Sequence, residues 1–543
     1  MAQKIVSKPR QALLKIERQI FEQNRKTIKD STDVKDKNFK RYHLNYKNAI
    51  KTYKRVASIE DVETDLNRSR VIIVGDYHTL DQSQRSFVRV MRHLIRGGFK
   101  DFIVLLETVQ KKHQRHLDGF ARDAITDQQL IKKIGFKESW FFDLWDNYAV
   151  IFDFLKYHEI PIFGIEADDH LNKTLKERDE FMAAEIVRLA GLYPNKKIFV
   201  LVGDLHLAPQ HLPREVTLRC KKKKLTLPIV TLYQNSPEIY FKLSEKEVID
   251  HAIIVKLADR TYCRMHTPPI IVQQSYINWL YHEEGRFDWV DAKASFIDIV
   301  ERIAKVTGMA LSPGYDNVHV YTCGDLAFMK RPSFKKLFSK KELKFIHRQI
   351  ADSESYFLPS ARIVYIANVS INHAAEEASH YLKFLMTGSE FPRTHRDAFY
   401  ANVLHEALGF FGSKLINNKR KCYRYKDYQN QKLFLEQGGM ALKRHVEYDT
   451  CVLFIRHFQM VKKRQLFHTN RISSFSPDLF LSLTHAIGYD LGEHLYYGFM
   501  EGVIDKECIQ GLYAREFQEE GATGEEYLHL IEALSRVKRP VRA

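Results

Sequence analysis

Two short motifs carry the residue types that could do chemistry. Residues 71–78 read Val-Ile-Ile-Val-Gly-Asp-Tyr-His, and residues 199–206 read Phe-Val-Leu-Val-Gly-Asp-Leu-His. Each is an apolar run followed by Gly-Asp-x-His. A glycine lets the backbone turn sharply, so Asp76 with His78 and Asp204 with His206 can face one cleft. Two further apolar runs end in carboxylates: FIVLLE at Glu107 and IPIFGIE at Glu166, the latter followed by Asp168 and Asp169. Imidazoles and carboxylates together form a mixed N/O ligand set suited to zinc, manganese or iron, with His78, His206, Asp76 and Asp204 as ligands. Water on such an ion is acidified, and Glu107 or Glu166 would take its proton. Asp and Gly also stand at strand ends simply because they begin turns. The duplication of the whole motif sets these copies apart.

Positioning these residues requires strands. VIIV (71–74), FIVLLE (102–107), IPIFGIE (160–166) and KIFVLVG (197–203) are continuous apolar runs, and LPIVTLYQ (227–234) reads as a fifth strand. Helical stretches lie between them, one from Gln82 to Arg96 ended by Gly97-Gly98, others across 110–157 and 172–190. Strands alternating with helices predict an α/β fold with a mainly parallel sheet covered on both faces. In such a sheet ligands bind outside the carboxyl ends of the strands, where all the residues above would meet. Residues 1–62 read as a basic helical arm, with Leu13, Ile16 and Ile20 at steps of three and four. The α/β domain spans 63–268 and ends near Thr267-Pro268-Pro269. Residues 269–543 read as a mostly α-helical C-terminal domain, divisible into 269–333 and 334–543, with one short strand in 311–325.

A second candidate metal set lies in the helical half. His373, Glu377 and His380 share one helix face, and Glu377-x-x-His380 has the spacing of carboxylate metal sites in helix bundles. His405-Glu406 and Glu493-His494 on other helices could complete it. Gly409 stands where a zinc peptidase would place its second His. An exposed polar helix face, or a satisfied core histidine, explains the segment more simply. The aromatic group Trp140, Phe141, Phe142, Trp145 and Tyr148 is either core or the wall of a pocket for a flat ligand.

Composition narrows the class. The chain has 543 residues, enough for two or three domains, with 45% apolar and 28% charged residues. This excludes a disordered chain and a disulfide miniature. Six scattered cysteines without a C-x-x-C pair argue against zinc ribbons and iron–sulfur sites, and fit a reducing, cytoplasmic compartment. Lys+Arg 84 against Asp+Glu 67 gives +17, which favours an acidic partner, although no nucleic-acid motif accompanies it. No signal peptide, lipoprotein leader or transmembrane run is seen, nor a P-loop, Gly-x-Gly-x-x-Gly or Gly-x-Ser-x-Gly.

VGDYH, the following helix with Gln84, LLE, GDLH and the segment 118–168 together resemble the ChaN-like branch of the Tiki/TraB/erythromycin-esterase superfamily, over about residues 65–240. The resemblance implies one of two activities: haem binding and iron uptake, as in ChaN-like proteins, or metal-dependent peptidase or esterase action, as in Tiki-like proteins and erythromycin esterases. It places His78, Glu107 and His206 at recurring polar positions. Asp76 stands where the ChaN branch carries Glu, one methylene longer, which weakens the hydrolytic expectation more than the binding one. Tyr77 and the histidines are the chemically suitable haem ligands, with Trp140 and Trp145 as pocket residues. The leading expectation is a haem- or iron-binding protein using the strand-end site. The alternatives are a metal-dependent hydrolase at the same site and a non-catalytic scaffold.

Overall fold

The computed structural model describes residues 7–31, 36–136, 144–283, 292–322, 326–351, 355–367, 370–388, 392–437 and 445–540. The chain forms two compact units, Glu17–Phe287 and Met1–Ile16 with Asp288–Pro540. Trp140, Phe141 and Phe142 lie outside the described residues.

The first unit is a mainly parallel sheet of eight strands: β1 (Arg55–Ala57), β2 (Val71–Asp76), β3 (Phe102–Gln110), β4 (Ile162–Glu166), β5 (Lys197–Gly203), β6 (Ile229–Gln234), β7 (Ile254–Ala258) and β8 (Thr261–Arg264). Their order is β1-β7-β8-β6-β2-β5-β3-β4. Strands β2, β3 and β5 are buried along their whole length, which is why they read as unbroken apolar runs. The hairpin of β7 and β8 and the edge strand β1 add antiparallel pairs beyond the five strands expected from the sequence. Short, partly polar segments such as Arg55–Ala57 carry too little pattern to be read in advance.

Register decides what meets at the carboxyl edge. Strand β2 pairs in parallel with β5, so that Asp76 stands opposite Gly203. Strand β3 pairs with β5 on its other side. From β3 the chain moves outward to β4, whereas from β5 it returns to β6 beyond β2. The connections therefore diverge between two neighbouring strands, β5 and β3, and the crevice opened there is the expected ligand position in such sheets.

Helices of this unit are α1 (Lys8–Ser31, from Glu17 on), α2 (Lys37–Ala49), α3 (Ile59–Arg68), α4 (Asp81–Arg96), α5 (Gln114–Ala121), α6 (Asp127–Ile134), α7 (Trp145–Tyr157), α8 (Leu175–Leu192), α9 (Leu212–Lys222), α10 (Pro237–Glu245) and α11 (Pro269–Glu283). Helix α8 starts at a capping box in which Thr174 and Glu177 satisfy each other's backbone N–H, which fixes where its first turn begins. Residues 178 and 179 lie at the end of that turn and the start of the next. Helix α7 places Tyr148, Ile151, Phe152 and Leu155 in the core.

The second unit is largely helical. Its main helices include α12 (Ala292–Thr307), α13 (Ile371–Thr387), α14 (His395–Ile416), α15 (His445–Val461) and α16 (Pro477–Met500). Close packing of α14 on α16 depends on Gly488 and Gly492, where a Cβ would come within 2.7 Å of Val403 O and 2.5 Å of Ala407 O. A three-stranded sheet, β9 (His319–Thr322), β10 (Tyr356–Leu358) and β11 (Ile363–Ile366), is set among the helices. It has its own core, including Tyr321, Phe328, Phe334 and Ile363. Only β9 falls in a segment read as containing a strand. No described helix in either unit is long and apolar enough to cross a membrane.

Candidate functional site

The two Gly-Asp-x-His motifs interlock at the ends of β2 and β5. A Cβ on Gly75 would lie 1.9 Å from Asp204 Oδ1, and a Cβ on Gly203 would lie 2.9 Å from His78 Nε2. Each glycine makes room for a side chain of the other motif. Sequence reasoning gave the glycines a turning role. Neither has a left-handed φ among the described residues, so the structure gives them a space-making one.

Asp76 is almost fully buried and is the hub of the first half-site. Its Oδ2 accepts from Tyr148 Oη at 2.6 Å and from His78 Nδ1 at 2.9 Å, and its Oδ1 accepts from Gln84 Nε2 at 2.6 Å. Burial pulls the His78 pKa down, but the bond and charge of Asp76 overcome it, and the net shift is upward. The Nδ1 proton is thereby fixed toward Asp76. Tyr77 sits half-buried beside Asp204 and Tyr276, its phenol pushed up mainly by burial.

His206 forms the second half-site. Its Nδ1 lies 2.7 Å from Asp179 Oδ1 on α8 and its Nε2 lies 3.3 Å from Glu107 Oε1 on β3. Burial opposes the charged ring, yet Glu107 and Asp179 raise its pKa to about 9. It is therefore an imidazolium at neutral pH. Glu107 also accepts from Gly203 N at 2.5 Å and from the Arg178 guanidinium. Against the cost of burial, His206 and then Arg178 hold Glu107 well below the usual carboxylate range. Arg178 Nε bonds Glu166 Oε2 at 2.9 Å, and Glu166 Oε1 accepts from Ala167 N at 2.7 Å. Burial, opposed by Arg178, leaves the Glu166 pKa raised.

Asp204 is different. Among the described residues, Tyr46 Oη alone reaches its Oδ2, at 3.3 Å, and its buried Oδ1 has no hydrogen-bond partner. Burial, reinforced by the charge of Asp76, pushes it up to about 8, so it is a neutral acid at pH 7. Asp168 and Asp169 are exposed: the first accepts from Lys112 N at 3.1 Å and the second pairs with Lys173. Neither joins the cluster.

Helix α2 covers the second half-site. Tyr42 Oη donates to Asp179 Oδ2 at 2.7 Å, and its ring stacks on His211 with centroids 3.5 Å apart. Asn45 Nδ2 lies 3.3 Å from His211 Nε2.

The expected ligand sets arrange differently from an ion-binding cage. Among the described residues, no group of three or more His, Cys, Asp or Glu is placed so as to hold a metal ion. The physical reason at the strand ends is that cations of the protein already fill the space between the carboxylates. Both nitrogens of His206 are spent on acids, and the Arg178 guanidinium bridges Glu107 and Glu166. In the helical unit, His380 and His405 stack with centroids 3.9 Å apart, and Glu377 Oε2 is 3.5 Å from His380 Nδ1. His485 Nδ1 is 3.0 Å from Glu406 Oε2, while Glu376 pairs with Arg420 at 2.7 Å. The charge of that Arg420 helps lower the pKa of His373, after burial. Glu493 and His494 sit elsewhere, Glu493 bound by Arg424 and Arg539 and His494 by Asp490 O.

Trp145 faces the core. Its ring stacks on Phe152 at 4.8 Å and meets the edge of Phe136 at 5.2 Å. Sequence reasoning missed Arg178, Asp179, Tyr42 and Tyr46 as site residues. Arg178 and Asp179 lie in a charged helix with no local signal. The two tyrosines, spaced by four on one helix face, belonged to the segment read only as a basic helical arm.

Residues 62–178 match the model of a family described as haem-binding uptake, Tiki superfamily, ChaN. The resemblance read from the motifs holds over that segment, which supplies Asp76, His78, Glu107, Tyr148, Glu166 and Arg178. A solved structure titled as cofacial haem binding to ChaN of Campylobacter jejuni aligns at 18% identity with a TM-score of 0.26, over 34% of this chain and 89% of that one. No curated protein sequence matches the chain.

Proposed function

We propose that the α/β unit binds haem at the carboxyl edge of its sheet, with Tyr77 or His78 as the iron ligand. The observation that carries this reading is the match of residues 62–178 to the haem-binding family, coupled with what that segment does at the edge. It sets a tyrosine and a histidine side by side where β2 ends, and both are established haem-iron donors. The donor set fits. Asp76 holds His78 through Nδ1, as outer-shell carboxylates do for ligating histidines, which fixes the ring and strengthens its other nitrogen as a donor. Tyr148 and Gln84 hold Asp76 in turn. Bound, haem would supply a redox-active iron and a flat apolar face. Arg178 and His206 keep the neighbouring carboxylates neutralised, so that a dianionic ligand would not meet bare acids. The formal charge of +17 favours such a ligand at longer range.

Titration of hemin into the full chain tests this. A Soret shift saturating at one equivalent is expected, with Tyr77→Phe or His78→Ala changing the band position. A wild-type spectrum that stays that of free hemin counts against the reading, as do variants with an unchanged bound spectrum.

One observation favours a second reading, acid–base hydrolysis. The Tyr148–Asp76–His78 chain has the form of an oriented general base. It would assign proton transfer to His78 rather than to Glu107 or Glu166, because Glu107 is held too acidic and Glu166 is saturated by Arg178 and Ala167 N. Ester and peptide panels would show turnover lost in His78→Ala. An absence of turnover across both panels counts against it.

A further inference from the structure

Helix α2 lies outside the segment matched to the family, yet it rests on the second half-site. We propose that α2 is a built-in occupant of the strand-end site, a strap that a haem must displace to enter. This inference rests on the haem reading above.

Three features argue for it. First, α2 is held by polar tips rather than by a buried face. None of its residues is fully buried. Its hold on the site comes from Tyr42 on Asp179 and His211, Asn45 on His211, and Tyr46 on Asp204. A helix of 13 residues is marginal alone in water, so its order depends on this seat.

Second, the chain just after α2 is pinned. Ile50 is buried, its carbonyl accepts from Ser236 Oγ at 2.8 Å, and Lys54 N bonds Lys256 O at 2.8 Å before β1 joins the sheet. The edge of the sheet is thereby held by contacts that do not involve α2.

Third, its seat adjoins the proposed ligand position. Tyr46 reaches Asp204 Oδ2, and Asp204 Oδ1 packs against Gly75, two residues before Tyr77. Tyr42 covers His206 and Asp179, beside the β5–β3 crevice. Among the described residues, Asp204 Oδ1 has no hydrogen-bond partner even with α2 in place.

The test is hydrogen exchange on the full chain, with and without hemin, for wild type and Tyr42→Phe/Tyr46→Phe. The variant keeps both rings and removes only the hydroxyls. Unchanged protection in β2 and β5 checks that it is folded. We expect hemin to speed exchange in residues 37–49 of the wild type. The variant should exchange these amides about tenfold faster without hemin and bind hemin about tenfold more tightly, the consequence of losing two modest hydrogen bonds from a closed state. Wild type and variant binding hemin equally, with no change in α2 exchange, overturns the strap while leaving the haem reading intact. Failure of both proteins to bind hemin, although α2 is loosened in the variant, overturns the haem reading and with it displacement by haem.

Discussion

Replacing Asp204 by Asn tests the charge pattern of the site in a single substitution. In the unfolded chain this carboxyl ionises near 3.8, and in the fold it ionises at about 8. The folded state therefore holds the proton more tightly. Stability from this group is complete below about pH 4 and falls as pH rises to about 8, above which the loss is constant. The gap corresponds to about 5 to 6 kcal/mol at roughly 1.4 kcal/mol per pH unit. Movement of Tyr46 and entry of water around the new charge would recover part of that, leaving about 3 kcal/mol. Asn is isosteric and never ionises, and its side-chain oxygen can still accept from Tyr46. The variant should lie within about 1 kcal/mol of wild type near pH 4.5 and be more stable by about 3 kcal/mol at pH 8.5. Native-state hydrogen exchange of β2 and β5 amides reads the stability of this unit directly. A constant offset between the two proteins from pH 4.5 to 8.5 would refute the reasoning, because Asp204 would then not be a buried neutral acid.

Three other outcomes follow from the same network. His206, raised from 6.5 to about 9 by its two acids, contributes stability that is complete below pH 6.5 and lost as pH rises through 9, about 3 kcal/mol in all; its imidazole NMR signals should stay those of the cation to pH 8, and titration below 6.5 would contradict this. Arg178→Met leaves Glu107 and Glu166 buried beside each other without their cation and should cost about 3 to 5 kcal/mol at pH 7, less at pH 4; a urea midpoint within error of wild type would sink the clamp. Trp145→Ala should destabilise the unit by roughly 2 to 4 kcal/mol through lost packing on Phe152 and Phe136. Hemin affinity should be unchanged in that variant, and a selective loss of affinity would return Trp145 to the pocket.

The parts of this site that could be read from the sequence are those carried by strands. Buried parallel strands must be continuously apolar, so the apolar runs mark themselves: Asp76, His78, Glu166, Asp204 and His206 fall at or just past strand ends, whereas Glu107 closes the apolar run inside β3, which continues to Gln110. What those residues do there was not legible, because it depends on partners brought from distant helices. Asp179 turns His206 into a cation, and Arg178 clamps Glu107 and Glu166, the two carboxylates expected to take a proton from bound water. Both sit in a charged helix whose sequence looks like any solvated surface. The interlocking of Gly75 with Asp204 and of Gly203 with His78 depends on the register of β2 against β5, which no local pattern specifies. Tyr42 and Tyr46 were hidden for a similar reason: a polar helix with no buried face gives no periodic signal of what it covers.

The proposed haem position at the carboxyl edge of the sheet can be located by an iron anomalous map from crystals of the full chain grown with hemin. Iron is expected within bonding distance of Tyr77 Oη or of a His78 ring nitrogen, with α2 displaced from Asp204 and Asp179. Iron seated in the helical unit, or on the surface away from the ends of β2 and β5, would contradict it.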